Sequence, residues 1–169
     1  MDRVRVRAWV GTVGFLVLAP GVVAGVVPGL ITGWRIAWTG GWASPVAIGA
    51  GIAILSGVVV LLDAFVRFAR ADGTPAPPMP TGHLVVVGPY RYVRNPMYLA
   101  VLAIILGQAL LSRSWGTLVY AGTVLLAVAM FVLGYEEPTL KLEYGDEYRE
   151  YRRNVRGWLP RVRPWNGAA

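Results

Sequence analysis

The eleven residues Gly88–Tyr98 combine the side-chain types that a binding site for a charged ligand needs. They include three tyrosines, two arginines, an asparagine and two prolines, and they stand directly before an apolar run. A turn that leads into a helix N-terminus presents free backbone N–H groups, which can hold a carboxylate, and aromatic rings accept a base or a cationic centre. The alternative is an interfacial belt, in which tyrosine and arginine lie at the level of the lipid headgroups.

A second candidate is the pair Glu136 and Glu137, which stands with Pro138 at the end of a long apolar run. Two adjacent carboxylates beside lipid cost free energy unless they are matched. They could hold a hydroxyl or an ammonium group of a ligand, or they could mark the boundary with water. No catalytic residue is assigned from the sequence, and these two glutamates are the candidates for a base.

The other polar residues of the apolar runs favour structural roles. Asp63 lies one helical turn before Arg67, a spacing that predicts an internal ion pair. His83 is the only histidine, and the chain has no cysteine. We therefore expect no metal site, and we expect His83 to pack or to form a hydrogen bond.

The composition is typical of one membrane domain over residues 1–169, because 56% of the residues are hydrophobic and only 15% are charged. The net charge of +7 could suggest a nucleic-acid partner. However, the basic residues lie at the ends and connections of apolar runs, and no motif that reads nucleic acid is present. The anionic inner leaflet of a bilayer is the expected partner, with the basic tail Arg149–Arg163 as its binding surface.

Four apolar runs predict an all-α, polytopic membrane helix bundle of about four spans: Ala8–Ile31, Val46–Phe68, Met97–Leu111 and Trp115–Tyr135. The first contains Pro20 and Pro28, so it should kink or form two helical pieces. The third is about 22 Å long at the usual helical rise, which is short for a bilayer core of about 30 Å. A polar turn separates it from the fourth, and this pattern predicts a helical hairpin with both ends at one face.

The connections and the tail have their own patterns. Residues Thr74–Pro80 are a proline-rich linker, and Gly82–Val87 is expected to be extended and to end at the turn formed by Gly88 and Pro89. The tail Glu136–Arg153 predicts a helix that bends near Gly145. Its tyrosines recur at spacings of four and three and should therefore share one face: Tyr144, Tyr148 and Tyr151.

Fourteen of the sixteen lysines and arginines fall in the N-terminus, the central connection and the tail, whereas Arg35 and Arg113 fall on the opposite side. The positive-inside rule therefore predicts that both termini are cytoplasmic. An alternative is that the first run is a cleaved signal peptide, because Val22-Val23-Ala24 resembles a cleavage site. Cleavage would leave the orientation of the other runs unchanged.

Four short motifs in this order resemble those of the isoprenylcysteine carboxyl methyltransferase family and its phospholipid methyltransferase relatives. The resemblance spans Gly82–Arg161, while the first two apolar runs match only as hydrophobic helices. The motifs are Gly88-Pro89-Tyr90, Arg94-Asn95-Pro96-Met97-Tyr98, Glu136-Glu137-Pro138-Thr139-Leu140, and Tyr148 with Tyr151 before Arg156.

The resemblance implies methyl transfer from S-adenosylmethionine to a hydrophobic or membrane-embedded acceptor, which enters sideways from the bilayer at the cytoplasmic face. It also implies that the cofactor pocket is lined by Gly82, His83, Leu84, Val85, Tyr90, Asn95, Pro96, Met97, Tyr98, Glu136 and Glu137. Donors, carboxylates and rings in this mixture suit the carboxylate, the cationic groups and the ribose of that cofactor.

Two positions depart from the family pattern. Asn95 stands in place of the usual histidine, and Val132 stands where the isoprenylcysteine enzymes have an arginine thought to meet the substrate carboxylate. A prenylcysteine carboxylate is therefore not the expected substrate. The alternative to an enzyme is a non-catalytic lipid-binding or accessory membrane protein, whose basic tail binds the inner leaflet.

Overall fold

The protein is a bundle of long apolar helices that continues into a polar helical tail. The structure, a computed structural model, describes residues 10–11, 13–35, 44–70, 84 and 86–167, with the backbone alone at 68–70. The helices are α1 (Val13–Thr32), α2 (Pro45–Arg70), a short 3₁₀ helix (Gly88–Arg91), α3 (Pro96–Ser112), α4 (Trp115–Phe131), a π-helical turn (Val132–Glu136) and α5 (Glu137–Asn154). The described secondary structure is entirely helical, which confirms the predicted all-α class.

Three helices are long and apolar enough to cross a bilayer. They are α1, α2 over Pro45–Arg67, and the continuous helix that begins at Trp115 and extends through α5 to Asn154. The 17 residues of α3 form a shorter apolar helix, about 25 Å long at the usual helical rise. The described residues of all four predicted runs are therefore helical, and the protein is an integral membrane protein.

Glycines allow α2 and α3 to lie against each other over most of their length. A side chain at Gly57 would come within 2.7 Å of the Ala100 carbonyl oxygen and of Ile104. A side chain at Gly107 would meet Ile54 at 2.6 Å. Small residues of this kind let membrane helices approach until their backbones are in contact. This antiparallel pair is the central element of the bundle.

The first helix passes both of its prolines without breaking. Val17–Val26, which includes Pro20, is a π-helix, and the chain returns to α geometry at Val27–Thr32. The predicted kink thus takes the form of a change in helix type. Pro28 has no N–H to donate to the preceding turn, and two polar side chains of α3 and α4 supply donors there. Gln108 Nε2 donates to the Ala24 carbonyl at 2.6 Å, and the Tyr120 hydroxyl donates to the Val23 carbonyl at 3.0 Å.

The predicted hairpin between the third and fourth runs is present. Arg113 adopts a left-handed conformation at the end of α3, and the Ser114 hydroxyl caps α4 by accepting from the Thr117 N–H at 3.1 Å. Ile31, near the end of α1, lies against Gly116 beside this turn. The turns that carry Arg35 and Arg113 therefore lie at the same end of the bundle.

The polar tail folds back on itself. Gly145 has φ 50° and ψ −119°, so α5 bends there as the sequence predicts. Tyr148, Tyr151 and Val155 are buried together, and Tyr144 packs against them, which confirms that the tyrosines share one face. The linker 74–80 lies outside the described residues, and Val87 is extended at φ −129° and ψ 156°.

We predict that Gln108→Leu lowers the free energy of unfolding by about 1 kcal/mol, because the Ala24 carbonyl loses an interhelical donor. Thermal unfolding in detergent measures the change. Thr123→Val is the matched control, since that hydroxyl bonds only within its own helix, to Val119. In a Pro28→Ala background, which restores a backbone N–H, Gln108→Leu should cost less. An equal loss in both backgrounds would contradict this account of Pro28.

Candidate functional site

The two polar segments singled out in the sequence meet at one end of the hairpin. Tyr98 lies in the first turn of α3, and Glu136 ends the π-helical turn after α4. The Tyr98 hydroxyl donates to Glu136 Oε2 at 2.8 Å, across 38 positions of sequence. This contact exists because the hairpin brings the start of α3 and the end of α4 to the same level.

The π-helical turn determines where the two glutamates point. A π-turn inserts about one extra residue into a helix and is frequent at functional sites. Here it runs from Val132, which is only 1% exposed, to Glu136. Glu136, its last residue, reaches Tyr98, whereas Glu137, the first residue after it, reaches Arg94. The neighbouring carboxylates therefore have different surroundings.

Glu137 is only 6% exposed and has two cationic partners. Arg94 approaches its Oε1 at 3.0 Å, and Arg152 approaches its Oε2 at 3.3 Å. Arg94 also donates to the Tyr148 hydroxyl at 3.0 Å. A carboxylate this deeply buried needs such partners, because burying an unpaired charge is costly. Both oxygens of Glu137 are thus engaged within the protein.

The tail segment, Arg156–Trp165, pairs with the loop that precedes α3. The N–H groups of Arg94 and Asn95 donate to the carbonyls of Arg156 and Gly157, at 2.9 and 3.2 Å. Farther along, the Arg161 N–H donates to the Tyr92 carbonyl, and the Trp165 N–H donates to the Arg91 carbonyl, both at 2.9 Å. Four backbone hydrogen bonds therefore hold the tail segment beside the site.

Aromatic side chains surround the Tyr98–Glu136 contact. The ring of Trp158, in the tail segment, lies 6.5 Å from that of Tyr98. Tyr90 is buried, and the Tyr151 hydroxyl donates to its backbone carbonyl at 2.7 Å. Burial, followed by the negative charge of Glu136, raises the pKa of the Tyr90 phenol well above its usual range. These surroundings therefore favour the protonated form of the Tyr90 phenol.

The structure places the predicted site residues in three groups. Those near the Tyr98–Glu136 contact are Tyr90, Asn95, Pro96, Tyr98, Glu136 and Glu137. Met97 lies against the apolar core of the bundle and Leu84 lies against the Tyr148–Tyr151–Val155 cluster, and their roles in the cofactor pocket stay predictions. Gly82, His83 and Val85 lie outside the described residues, so their predicted roles stay predictions.

Two residues that contribute to the site, Arg94 and Trp158, were not predicted as site residues from the sequence. Arg94 belongs to one of the quoted motifs, and its position beside a buried acid could have been suspected from the two adjacent glutamates. Trp158 lies in a segment without periodicity, and nothing in the sequence indicates its contact with Tyr98.

The predicted ion pair of Asp63 and Arg67 is present at 2.7 Å, and Arg67 lies against Gly88 at the start of the loop.

We predict that Arg94→Met lowers the free energy of unfolding by about 3 to 5 kcal/mol, because Glu137 would be left buried beside the weaker partner Arg152. Arg152→Met should cost under about 1 kcal/mol, since that side chain is 45% exposed and Glu137 keeps Arg94. Thermal unfolding in detergent compares the two. Adding Glu137→Gln to Arg94→Met should recover part of the loss, and a double variant no more stable than Arg94→Met would contradict the pairing.

Comparison with known proteins agrees with the geometry. The phospholipid methyltransferase family matches residues 46–147, which include α2, the loop, the hairpin and both glutamates. A Haemophilus influenzae protein described as uncharacterized is 37% identical over 67 residues, covering 37% of this chain and 100% of that protein. No solved structure matches. Since the family match covers more than half of the chain, the protein belongs to the phospholipid methyltransferase family, a family of membrane methyltransferases.

Proposed function

We propose that this protein transfers a methyl group from S-adenosylmethionine to a hydrophobic acceptor dissolved in the bilayer, at the cytoplasmic face. The observation that carries the proposal is the hydrogen bond between Tyr98 and Glu136. It joins the two motif segments at one end of the hairpin, beside partly buried aromatic rings and a paired acid.

The residues present suit that cofactor. The Glu136 carboxylate can accept hydrogen bonds from ribose hydroxyls or from the ammonium group, and the rings of Tyr98 and Trp158 can lie against a cationic centre. Within the described residues, Arg94 Nε is buried without a hydrogen-bond partner. Such a donor is uncommon in a folded protein, and a ligand carboxylate or a water molecule beside it would satisfy it.

S-adenosylmethionine held by these residues would supply an electrophilic methyl group on sulfur, which the acceptor would take up. The protein's part is to hold the two reactants in line and to exclude water. A neutral hydroxyl or a protonated amine would also have to lose a proton. Glu136 is the better candidate for that base, because the oxygens of Glu137 are engaged by Arg94 and Arg152.

The position of the site supports an acceptor that arrives through the lipid. Because α3 is about 25 Å long and the bilayer core is about 30 Å thick, the start of α3 lies near the lipid boundary when its other end is at the opposite interface. Val132, in place of the family's arginine, is buried and apolar. We therefore favour an acceptor without a carboxylate to be recognised there.

The orientation is a second part of the proposal. Arg35 and Arg113 lie at one end of the bundle, and the site with its arginine-rich tail lies at the other, so the positive-inside rule assigns the site to the cytoplasm. The chain has no native cysteine. In membrane vesicles, an impermeant maleimide should label Arg35→Cys only when the vesicles are right-side-out and Glu147→Cys only when they are inverted. The reverse pattern would overturn the orientation.

The cofactor itself is tested by isothermal titration of the purified protein in detergent. We expect saturable binding of S-adenosylmethionine and of its demethylated product at micromolar concentrations. Glu136→Gln should weaken binding about tenfold or more, because the ligand loses a charged hydrogen-bonding partner, and Tyr98→Phe should weaken it less, because only the hydroxyl that bonds Glu136 is lost. The matched controls Glu143→Gln and Tyr135→Phe, both at exposed positions, should leave it unchanged.

Absence of saturable binding well above micromolar concentrations would overturn the methyltransferase mechanism for this chain. The non-catalytic lipid-binding alternative would then be favoured. Equal binding by Glu136→Gln and by Glu143→Gln would instead place the cofactor away from the Tyr98–Glu136 contact.

A further inference from the structure

The tail segment carries an exposed surface that the proposed methyl transfer does not use. Val162 is 97% exposed and Leu159 is 63% exposed, although both are large apolar residues in an ordered part of the chain. Basic side chains stand on both sides of each, and residues 151–167 contain five arginines and no acid. Arg156 and Arg163 are exposed as well, so the surface defined by Arg156, Leu159, Val162 and Arg163 combines exposed apolar and cationic side chains.

The fold places this surface near the end of a membrane helix. Asn95, the residue before α3, is hydrogen-bonded to Gly157, and the loop from Arg91 to Arg94 is bonded along the rest of the tail segment. Since α3 is apolar from its first turn, the residues bonded to its start lie near the lipid headgroups. Trp158 and Trp165 are partly buried in the same segment, and tryptophan is enriched at that depth.

We propose that this surface binds the anionic leaflet, with Leu159 and Val162 inserted among the lipids and Arg156 and Arg163 in contact with phosphate groups. Aliphatic side chains flanked by arginines match such an interface, because the apolar groups leave water while the guanidinium groups keep phosphate partners. The acidic part of α5, over residues 143–150, lies before this segment and carries no comparable surface.

Binding to the leaflet would also act on the site, and this consequence rests on the proposed function. The ring of Trp158, next to Leu159 in the chain, lies against Tyr98. The backbone of the same segment holds Arg94 and Asn95. A tail segment held at the membrane therefore keeps Trp158 in place as a positioning residue, so cofactor affinity should rise with the anionic lipid content.

Single-cysteine labelling tests the surface without any cofactor. The full-length protein carrying Val162→Cys is reconstituted in two kinds of nanodisc. One contains phosphatidylcholine alone, and the other contains phosphatidylcholine with about 30% anionic phosphatidylglycerol. The protein is then labelled with an uncharged, water-soluble maleimide. Glu147→Cys, exposed in the acidic part of α5, serves as the control for reagent access. We expect labelling of Val162→Cys relative to Glu147→Cys to fall about fivefold or more in the anionic discs.

The charge requirement is tested in the same variant. Adding Arg156→Gln and Arg163→Gln should restore rapid labelling in anionic discs, whereas adding Arg149→Gln, which removes an exposed arginine paired with Asp146, should not. Equal labelling of Val162→Cys in the two lipid compositions overturns the proposal, whether both rates are fast or both are slow. Full protection that survives the loss of both arginines overturns it as well.

Cofactor titration in the same two types of nanodisc tests the consequence for the site. The unmodified protein should bind the demethylated cofactor product several-fold more tightly in anionic discs, and Leu159→Ser with Val162→Ser should abolish this difference. Protection of Val162→Cys without any cofactor binding would support the leaflet surface and contradict the proposed function. Cofactor binding without protection would do the opposite, so the two failures are distinguishable.

Discussion

The buried ion pair between Arg94 and Glu137 joins the two halves of the site. One partner precedes α3 and the other follows α4, so the pair closes the open end of the hairpin. Because Glu137 is almost fully buried, its carboxylate needs cationic partners, and Arg94 is the more buried of the two. Arg94 also binds Tyr148 through its side chain and Arg156 through its backbone. The loop, the end of the hairpin and the tail segment therefore all meet at Arg94.

In the opposite half of the molecule, the structure is determined by the need of backbone carbonyls for hydrogen-bond donors. In hydrocarbon, a carbonyl that lacks a donor is costly, and proline removes donors. The first helix contains two prolines, and its segment Val17–Val26 has π geometry. Its carbonyls also accept hydrogen bonds from the side chains of Gln108 and Tyr120. These two polar side chains stand within otherwise apolar helices. Their placement attaches the first helix to the hairpin, so the hydrogen bonds that satisfy its carbonyls also hold it against α3 and α4.

Most of the architecture follows from properties that are visible in the sequence. The lengths of the apolar runs and the polar turn at Ser112–Trp115 predict the hairpin, and the hairpin alone predicts that the segments around Tyr98 and Glu136 meet. The position of Met97 could also have been found, because Met97, Val101 and Ile104 recur at helical spacing and form one apolar face.

Other features could not be predicted because they depend on tertiary contacts. An α-helix has backbone hydrogen bonds to the fourth preceding residue and a π-helix has them to the fifth, and apolar composition is compatible with both. The π-helical turn that ends at Glu136 therefore could not be predicted from the sequence. The tail segment has neither helical nor strand periodicity, and its pairing with the loop is made by backbone groups, which every residue possesses. Trp158 reaches Tyr98 only through that pairing.

The two adjacent glutamates show how one helix can give chemically similar residues separate tasks. Consecutive helical residues point about 100° apart, so Glu136 and Glu137 face different neighbours even though their charges repel. Glu137 faces two arginines and contributes to stability, whereas Glu136 faces a tyrosine hydroxyl, a neutral donor. A neutral donor leaves the carboxylate its charge and further acceptor capacity. The pairing of Glu137 thus makes Glu136 the carboxylate that can act on a ligand.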